Sequence, residues 1–546
     1  MGVILLIGMQ KRWLVLNEQT PQDPQEIVSQ LLKNRGISSP EEFFTPPAPQ
    51  NFLANLKYYL PDLKVRELQK AEVRIKKALR KKEKIVVWGD YDVDGVAATA
   101  ILWRVLWDLG ADVTPYIPDR FKEGYGLNKQ GLEKLKEKGA VLVVTVDSGI
   151  TAVEEVSYAR SLGMEVIITD HHVKGKKLPP AYAVVHSTLT CGAPLSWILA
   201  AQLADFSQVE KELDLVALAV IADLQPVVET NRILLKSGFA VLNRLKRPGL
   251  AALAESAGIK SGSLGSYAAG WVLGPRLNAA GRLKDGADAL RLLCTKNLAQ
   301  AKELADSLGA ANQERKKITD EITAEARNQV SAEGPIVVHS LGWHEGVIGL
   351  VAGQLVREFG RPAIVISAGE EFSKGSARSV TGLNILEALQ DHRRHLVDLG
   401  GHAAAAGFTM ETANLAKFVA AVKGGLETLL RDRDARPVLK ADLRLPLSSV
   451  SFELAQILGD FEPTGLGNPA PLFLAEGVEI LSSRPMGKDG KHLLLQVSPG
   501  LEAVWFGAGE QDFMRGERVS FLFNPEIRRY LGKEHLSLRV ADLRKV

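Results

Sequence analysis

Acidic and histidine side chains follow apolar runs in the first half of the chain, where they could hold metal ions. The tetrapeptide Thr169-Asp170-His171-His172 follows the apolar run 165–168. Carboxylates and imidazoles that meet at one site repel each other or stay unpaired unless a cation joins them. This mixture of oxygen and nitrogen ligands suits Mn²⁺ or Mg²⁺, with Zn²⁺ possible. Three further acidic sites of this kind are residues 89–95, which contain Asp90, Asp92 and Asp94, then Asp147-Ser148-Gly149, and Asp223.

The elements before these acidic sites are expected to bring them together. Residues 86–223 alternate apolar strands with helical runs, the βαβ pattern of a parallel sheet, and the apolar run 215–222 leads to Asp223 as a strand would. The carboxyl ends of parallel strands line one crevice, so we expect all four sites to meet there. A single aspartate after a strand more often forms a turn or a helix cap. Four such sites in one α/β segment indicate a centre for one or two metal ions.

The four acidic sites resemble the motifs of the DHH phosphoesterase superfamily. Nearly the whole chain resembles the RecJ family, which are bacterial single-strand-specific 5′→3′ DNA exonucleases. Outside the metal motifs, the resemblance rests on residues 274–282, 343–349 and 400–407. Small residues between Arg276 and Arg282, and the glycines within residues 400–402, are expected to form turns. It implies two ions of Mn²⁺ or Mg²⁺ and phosphodiester hydrolysis. The metal ligands it implies are Asp92, Asp94, Asp147, His171, His172 and Asp223.

The resemblance also implies roles around the ions. Asp147 is expected to bridge the two ions, because a carboxylate can bridge two cations, and Asp90 and Asp170 are expected to orient the ligands. His402 would polarise the phosphate or assist the leaving group, although a histidine there could instead cap a helix. The residues expected to bind DNA are Arg120, Arg276, Asn278, Arg282, Arg378, Ser379 and His402, of which Arg276, Arg282, Arg378 and Ser379 would hold the 5′-terminal phosphate or the adjacent backbone.

The chain is too long for one hydrophobic core, and three or four domains are expected. Residues 297–329 carry helical periodicity and predict one long helix, and short alternating runs after residue 437 predict a small β-barrel. The family places an OB-fold there, with Trp505, Phe506, Phe523, Arg528, Arg529 and Tyr530 as candidates for stacking bases or for the core. The expected domains are an N-terminal helical extension (1–60), an α/β DHH domain with a parallel sheet (61–285), the connecting long helix (286–333), a smaller α/β DHH-associated domain (334–431) and the OB-fold (437–546).

Composition places few limits on function. A net charge of +3 is too small to indicate nucleic-acid binding by itself. The basic helix predicted at residues 62–84 could be a solvated surface or a DNA contact. Two cysteines, Cys191 and Cys294, offer neither a disulfide framework nor a zinc pattern, which favours a reducing cytoplasm. The apolar run 3–7 is too short for a signal peptide or a membrane span, and Met9 could be the true start.

Two departures from the family lie beside the predicted site. Residues 184–187 stand where many relatives have Asn-Pro, and the segment between His172 and Asp223 is shorter than expected. Alternative functions are a DHH enzyme that cleaves short oligonucleotides or cyclic dinucleotides, and an inactive scaffold that only binds single strands. The β-rich region 437–546 argues against the first, and the intact metal ligands argue against the second. By resemblance, the partners are single-stranded DNA, a single-strand-binding protein and a RecQ-type helicase, with the protein itself a monomer.

Overall fold

The computed structural model describes residues 11–120, 122–124, 126–283, 286–431, 436–487, 490–509, 511–530 and 532–546, without the side chains of Arg529 and Tyr530. The possible start sites Met1 and Met9 lie outside these ranges, as do Phe121, Tyr125 and residues 432–435. The chain forms two compact units, one of Met1–Leu14 with Ala310–Leu439 and one of Val15–Gly309 with Lys440–Val546. In the described part, every helix is too short or too polar to cross a membrane.

The second of these units contains the sheet that the sequence predicts. Five strands pair in the order β3-β2-β4-β5-β6, and every pair is parallel. The three central strands, β2, β4 and β5, are buried on both faces, which explains their continuous apolar runs. The strands are β2 (Lys84–Trp88), β3 (Val113–Tyr116), β4 (Ala140–Val146), β5 (Glu165–Asp170) and β6 (Ala183–His186), and β1 (Arg12–Asn17) precedes them in the chain.

Helices precede, alternate with and follow these strands along the chain, to the end of the predicted connecting segment. The predicted long helix at residues 297–329 is confirmed as α16. The helices are α1 (Pro24–Asn34), α2 (Pro40–Phe44), α3 (Pro49–Ala54), α4 (Leu56–Tyr59), α5 (Val65–Lys81), α6 (Val93–Asp108), α7 (Lys129–Glu137), α8 (Val153–Ser161), α9 (Gly192–Ala201), α10 (Phe206–Val209), α11 (Leu213–Ala222), α12 (Glu229–Leu242), α13 (Pro248–Ser256), α14 (Gly274–Leu283), α15 (Ala287–Cys294) and α16 (Leu298–Arg327).

Two predictions about local structure were wrong. The run before Asp223 is the helix α11 rather than a strand, and Asp223 caps its C-terminus. Because α11 is buried on all sides, its apolar residues carry no periodicity that separates helix from strand. The small residues between Arg276 and Arg282 lie within helix α14 rather than in a turn. They permit close packing, since a Cβ on Gly281 would lie 2.8 Å from the carbonyl oxygen of Tyr91.

The predicted basic helix is α5, and one of its arginines is structural. Arg74 is 2% exposed and forms ion pairs with Glu83 and Glu165. The buried face of α5 is otherwise apolar, and its remaining basic residues lie on the outer face. This exposure fits both interpretations of the sequence, a solvated surface and a DNA contact.

The other unit contains a mixed five-stranded sheet with the order β10-β11-β9-β8-β7. Residues 400–402 lie in strand β10 and not in a turn, so His402 ends one strand of a hairpin with β11 and caps no helix. Gly401 is required there, because it has a φ of 141° and a Cβ would lie 2.4 Å from the carbonyl oxygen of Ala405. The elements are β7 (Ile336–Leu341), α17 (Ile348–Phe359), β8 (Ala363–Ala368), β9 (Phe372–Arg378), α18 (Ile385–Gln390), β10 (Asp398–His402), β11 (Ala405–Glu411) and α19 (Leu415–Leu430).

The C-terminal region is β-rich, as expected, and its strands join an eight-stranded sheet of order β1-β12-β13-β17-β18-β16-β15-β14. Phe523 is fully buried and cannot stack on a base, whereas Phe506 is 44% exposed. Its elements are β12 (Val438–Arg444), α20 (Phe452–Gly459), β13 (Phe473–Glu479), β14 (Ser482–Met486), β15 (His492–Ser498), β16 (Leu501–Trp505), β17 (Arg518–Tyr530) and β18 (Lys533–Lys545).

Candidate metal centre

The predicted metal ligands lie together at one edge of the parallel sheet. The Nε2 atom of His171 lies 3.0 Å from Oδ1 of Asp147, 3.8 Å from Oδ2 of Asp94 and 3.9 Å from Oδ2 of Asp223. Three sets of side chains each place their donor atoms within 4.8 Å of one another, close enough for each set to hold a cation after small side-chain adjustments. These sets are Asp147 with His171 and His172, Asp90 with Asp92 and Asp147, and Asp94 with Cys191 and Asp223.

The loop after β2 carries three of these aspartates and is held by short-range contacts. Asp92 caps α6, and its Oδ1 accepts a hydrogen bond from the backbone N–H of Gly95 at 3.0 Å. Oδ1 of Asn278 accepts a hydrogen bond from the backbone N–H of Val93, also at 3.0 Å. Asn278, predicted to bind DNA, therefore holds the loop that presents Asp92 and Asp94.

Asp94 and Asp147 meet the N-terminus of α9. The backbone N–H groups of Gly192 and Ala193 donate to the Asp94 carboxylate at 2.6 and 2.7 Å, which suits the positive end of the helix dipole. Asp147 follows β4 directly and has a φ of 58°, a left-handed conformation that is uncommon for residues other than glycine and is associated with functional sites. A Cβ on Gly192 would lie 2.5 Å from the Cβ of Asp147, so only glycine fits.

The two histidines follow β5 and are oriented by Asp170. Oδ1 of Asp170 accepts hydrogen bonds from the ring Nδ1 of His172 at 2.7 Å and from the backbone N–H of His171 at 2.7 Å, while Oδ2 accepts one from Ile150. Burial lowers the pKa of His172, but the hydrogen bond and the charge of Asp170 outweigh it and raise this pKa to about 9. A carboxylate bound to one ring nitrogen fixes the tautomer and the direction of the other, as in carboxylate–histidine–metal arrangements.

His186 supports the same histidine pair from β6. Its Nε2 donates to the backbone carbonyl of His172 at 2.8 Å, and the side chain is 4% exposed. The resemblance to the family marked this position as a departure but did not reveal this contact. In this chain, the imidazole of His186 fixes the backbone that carries His172.

The charge balance of the centre calls for a cation. Burial, and then the neighbouring carboxylates, raise the pKa values of Asp90, Asp92 and Asp147. The same two causes raise the pKa of Asp223 to about 7. Among the described residues, Oδ1 of Asp90 is buried with no hydrogen-bond partner. Buried carboxylates at this density stay ionised only when a positive charge offsets them, so the donor set fits divalent ions.

Cys191 is a member of the centre that sequence reasoning missed. Its thiol is fully buried and its Sγ belongs to the set with Asp94 and Asp223. A cysteine far from both aspartates in the chain gives no spacing signal, and only the fold brings them together. The centre therefore contains one sulfur donor beside its oxygen and nitrogen donors.

The predicted DNA-binding residues fall into two groups. In the unit that carries the centre, the guanidinium of Arg120 lies 5.2 Å from the ring centroid of Tyr91. Burial raises the pKa of Tyr91, and the positive charges of Arg120 and Arg282 offset part of this rise. Arg276 donates to the carbonyl of Val272 at 2.8 Å. Both arginines of α14 are thus carried by the helix whose Asn278 holds the acidic loop.

The remaining three, Arg378, Ser379 and His402, lie in the other compact unit. Arg378 donates to Oγ of Ser376 and to the carbonyl of Ala377, and burial lowers its pKa. Oγ of Ser379 donates to the carbonyl of Leu383 at 2.7 Å, and Nδ1 of His402 accepts from the backbone N–H of Ala404 at 3.3 Å. These contacts hold each side chain against groups close to it in the sequence.

Family comparisons agree with this site. Residues 84–220 match the DHH family, N-terminal domain, residues 333–428 match the DHHA1 domain, and residues 441–542 match the RecJ OB domain. The single-stranded-DNA-specific exonuclease RecJ of Bacillus subtilis (strain 168) is 36% identical over 96% of this chain and 69% of its own length. The same enzyme of Escherichia coli (strain K12) is 32% identical over 90% of each chain.

Solved structures show the same relationship. The crystal structure of RecJ in complex with Mn²⁺ from Thermus thermophilus superposes with a TM-score of 0.82 and 30% identity, over 98% of this chain and 80% of that chain. A crystal structure of the same protein in complex with Mg²⁺ gives a TM-score of 0.77. The relatives are identical to this chain at about a third of positions over most of its length, its three domains match in order, and the fold is shared. The chain therefore belongs to the RecJ family of DHH phosphoesterases.

Proposed function

We propose that the protein is a single-strand-specific DNA exonuclease that hydrolyses phosphodiester bonds at the Asp–His centre. The observation that carries this proposal is the convergence of carboxylate oxygens from Asp94, Asp147 and Asp223 within 4.0 Å of Nε2 of His171. Homologues that align with most of this chain are single-stranded-DNA-specific exonucleases. The protein is accordingly a metal-dependent hydrolase acting on DNA.

The cofactor is Mn²⁺ or Mg²⁺, in two copies. Related structures hold each of these ions. The residues that would hold them here are Asp92, Asp94, Asp147, His171, His172 and Asp223. When bound, such ions activate water and neutralise charge on the scissile phosphate.

The side chains of this protein prepare the site for that chemistry. Asp147 belongs to both the histidine set and the Asp90–Asp92 set, which supports its role as the carboxylate shared by two ions. Asp170 directs the ring of His172, and the α9 N-terminus holds Asp94. Asp90 has a carboxylate oxygen that is buried without a hydrogen-bond partner among the described residues. Asp90 would therefore either orient the metal ligands or act as a metal ligand itself.

The direction of digestion follows from recognition of a strand end. In the unit with the metal centre, Arg276 and Arg282 are the candidates for contacting the 5′-terminal phosphate or the adjacent backbone, with Arg120 and Asn278 as further DNA-binding candidates. In the other unit, the candidates are Arg378 and Ser379 for the same contacts and His402 for the scissile phosphate. Arginine suits this task because its planar fork binds phosphate oxygens in pairs. The products would be 5′-mononucleotides, and base preference would be weak because phosphate contacts carry no sequence information.

The proposal extends to the role of the enzyme in the cell. It would act as a monomer in the cytoplasm, in DNA repair and recombination. Its partners would be a single-strand-binding protein and a RecQ-type helicase that supplies single strands. The domains that would divide these tasks are those expected from sequence, at residues 1–60, 61–285, 286–333, 334–431 and 437–546.

Digestion of end-labelled DNA tests the proposal. With Mn²⁺ present, a 5′-labelled single strand should release labelled mononucleotide at once, while a 3′-labelled strand shortens progressively and a blunt duplex survives. Immediate release from the 3′ label would overturn the polarity. Survival of long strands together with cleavage of short oligonucleotides would replace the exonuclease by a small-substrate phosphodiesterase.

A further inference from the structure

The buried thiol of Cys191 changes the chemistry that one side of the acidic centre can perform. Cys191 precedes α9, is fully buried, and places Sγ within 4.8 Å of a carboxylate oxygen of Asp94 and of Asp223. Ligand bonds of about 2.0 Å to oxygen and 2.3 Å to sulfur let one ion join donors up to about 4.3 Å apart. Small rotations of these three side chains would therefore bring their donors onto one ion in a mixed sulfur–oxygen site.

Sulfur and oxygen donors differ in the cations they favour. Thiolates select soft or borderline ions such as Zn²⁺, while carboxylates alone suit Mg²⁺ and Mn²⁺. The site thus contains donors for two classes of ion, and both classes require Asp94 and Asp223. An ion held by all three donors would occupy carboxylates that the hydrolytic ions need.

The two classes of ion would bond to different atoms of this site. A hard cation has little affinity for the sulfur of Cys191 and would be held by oxygen donors alone. A thiophilic cation would form a bond to Sγ, and the S–H proton that it displaces would go to solvent.

We propose that Asp94, Cys191 and Asp223 form a binding site for a thiophilic divalent cation of the Zn²⁺ class, and that its occupancy inhibits the enzyme. The site rests on the geometry of the three donors. The inhibition rests in addition on the proposed nuclease function, because it requires that Asp94 and Asp223 serve the hydrolytic ions.

Cadmium is a spectroscopic probe for the site, because a thiolate bound to Cd²⁺ gives an ultraviolet charge-transfer band. The metal-free full-length protein is titrated with Cd²⁺ beside the variants Cys191→Ala, Cys191→Ser and Cys294→Ala. The chain has two cysteines, so a band that persists in Cys294→Ala must come from Cys191 whether or not the Cys191 variants fold. The expected result is a band in wild type and in Cys294→Ala and its loss in both Cys191 variants.

A parallel measurement separates the site from the function. Zn²⁺ is added to Mn²⁺-dependent digestion of single-stranded DNA by wild type and by Cys191→Ser. The variant should need at least about tenfold more Zn²⁺ for half inhibition, because losing even a group that only supports a metal ligand lowers metal affinity by that factor. No band in wild type, or a band lost in Cys294→Ala, overturns the site even if the nuclease is active. If the Cys191 band appears but the protein has no nuclease activity, the metal-binding site stands and the proposed nuclease function fails.

Discussion

The backbone N–H of Gly192 donates a hydrogen bond of 2.6 Å to the carboxylate of Asp94, and the missing side chain of this glycine leaves room for Asp147. One position at the start of α9 thus holds one predicted metal ligand and accommodates another. A Cβ at position 192 would lie 2.5 Å from the Cβ and 3.0 Å from the Cα of Asp147. The α9 N-terminus therefore sets the separation of two carboxylates.

Replacing Gly192 by alanine should damage the centre without unfolding the protein. The new Cβ would lie 2.5 Å from the Cβ of Asp147, so Asp147 must move. We expect Mn²⁺ affinity, measured by calorimetry, to fall by about tenfold or more. The matched control is Gly309→Ala in α16, where a Cβ meets nothing within 4 Å. Equal Mn²⁺ affinities in the two variants would show that the α9 start does not set the site.

Asn278 should act on metal binding rather than on DNA alone. Its Oδ1 holds the backbone N–H of Val93 between Asp92 and Asp94. In Asn278→Ala this N–H loses its partner, and we expect Mn²⁺ affinity in the absence of DNA to fall by about tenfold. Asn328→Ala, at an exposed asparagine, serves as control. A variant with normal Mn²⁺ affinity and weakened DNA binding would restore the original assignment of Asn278 to DNA.

His186 is expected to position His172 through one hydrogen bond. In His186→Leu, the buried carbonyl of His172 loses its donor, and the free energy of unfolding should fall by about 1–3 kcal/mol in urea denaturation. His186→Gln places an amide donor where Nε2 of the imidazole was and should recover most of the loss in both stability and Mn²⁺ affinity. If the glutamine variant were no better than leucine, the imidazole would be acting by packing.

The stability of the metal-free protein should depend on pH through Asp223. Folding raises the pKa of this carboxyl from 3.8 to about 7, so the group stabilises the fold below pH 3.8 and loses that contribution as the pH rises through 7. Asp223→Asn cannot ionise. Relative to wild type, its free energy of unfolding should therefore rise between pH 4 and 8, by roughly 2–4 kcal/mol.

Denaturation of both proteins in a chelator across this pH range measures the difference, with Asp398→Asn as the exposed control. A difference that stays constant with pH would contradict the pKa. With Mn²⁺ added, wild type should become the more stable protein at neutral pH, because the cation binds the ionised carboxylate.

The parts of the fold that could be predicted are those with a local signal. Strands β2, β4 and β5 ended where the apolar runs met aspartates, because a buried parallel strand is apolar throughout and its carboxyl end is polar. The helix α11 was mistaken for a strand for the same reason, since a helix buried on every side has no polar face. The helix α14 was mistaken for a turn because its glycines and alanines serve close packing and not loop conformation.

The contacts that could not be predicted join residues distant in the chain. Nothing near Cys191 indicates that its thiol would meet Asp94 and Asp223, and nothing near Asn278 indicates the N–H of Val93. Asp94 shows what could and what could not be predicted. Its motif predicts a metal ligand, but its hydrogen bonds with Gly192 and Ala193 become visible only when α6 and α9 are folded together.

Digestion of single-stranded DNA by Asp147→Ala tests the central claim most directly. The rate of mononucleotide release with Mn²⁺ is compared among wild type, Asp147→Ala and Asp398→Ala, with folding of each checked by circular dichroism. We predict that Asp147→Ala loses at least about 10²-fold in rate, the effect of removing one electrostatic stabiliser, that Asp398→Ala matches wild type, and that a chelator silences all three. A folded Asp147→Ala protein with wild-type activity would contradict the account, because hydrolysis would then occur outside this centre.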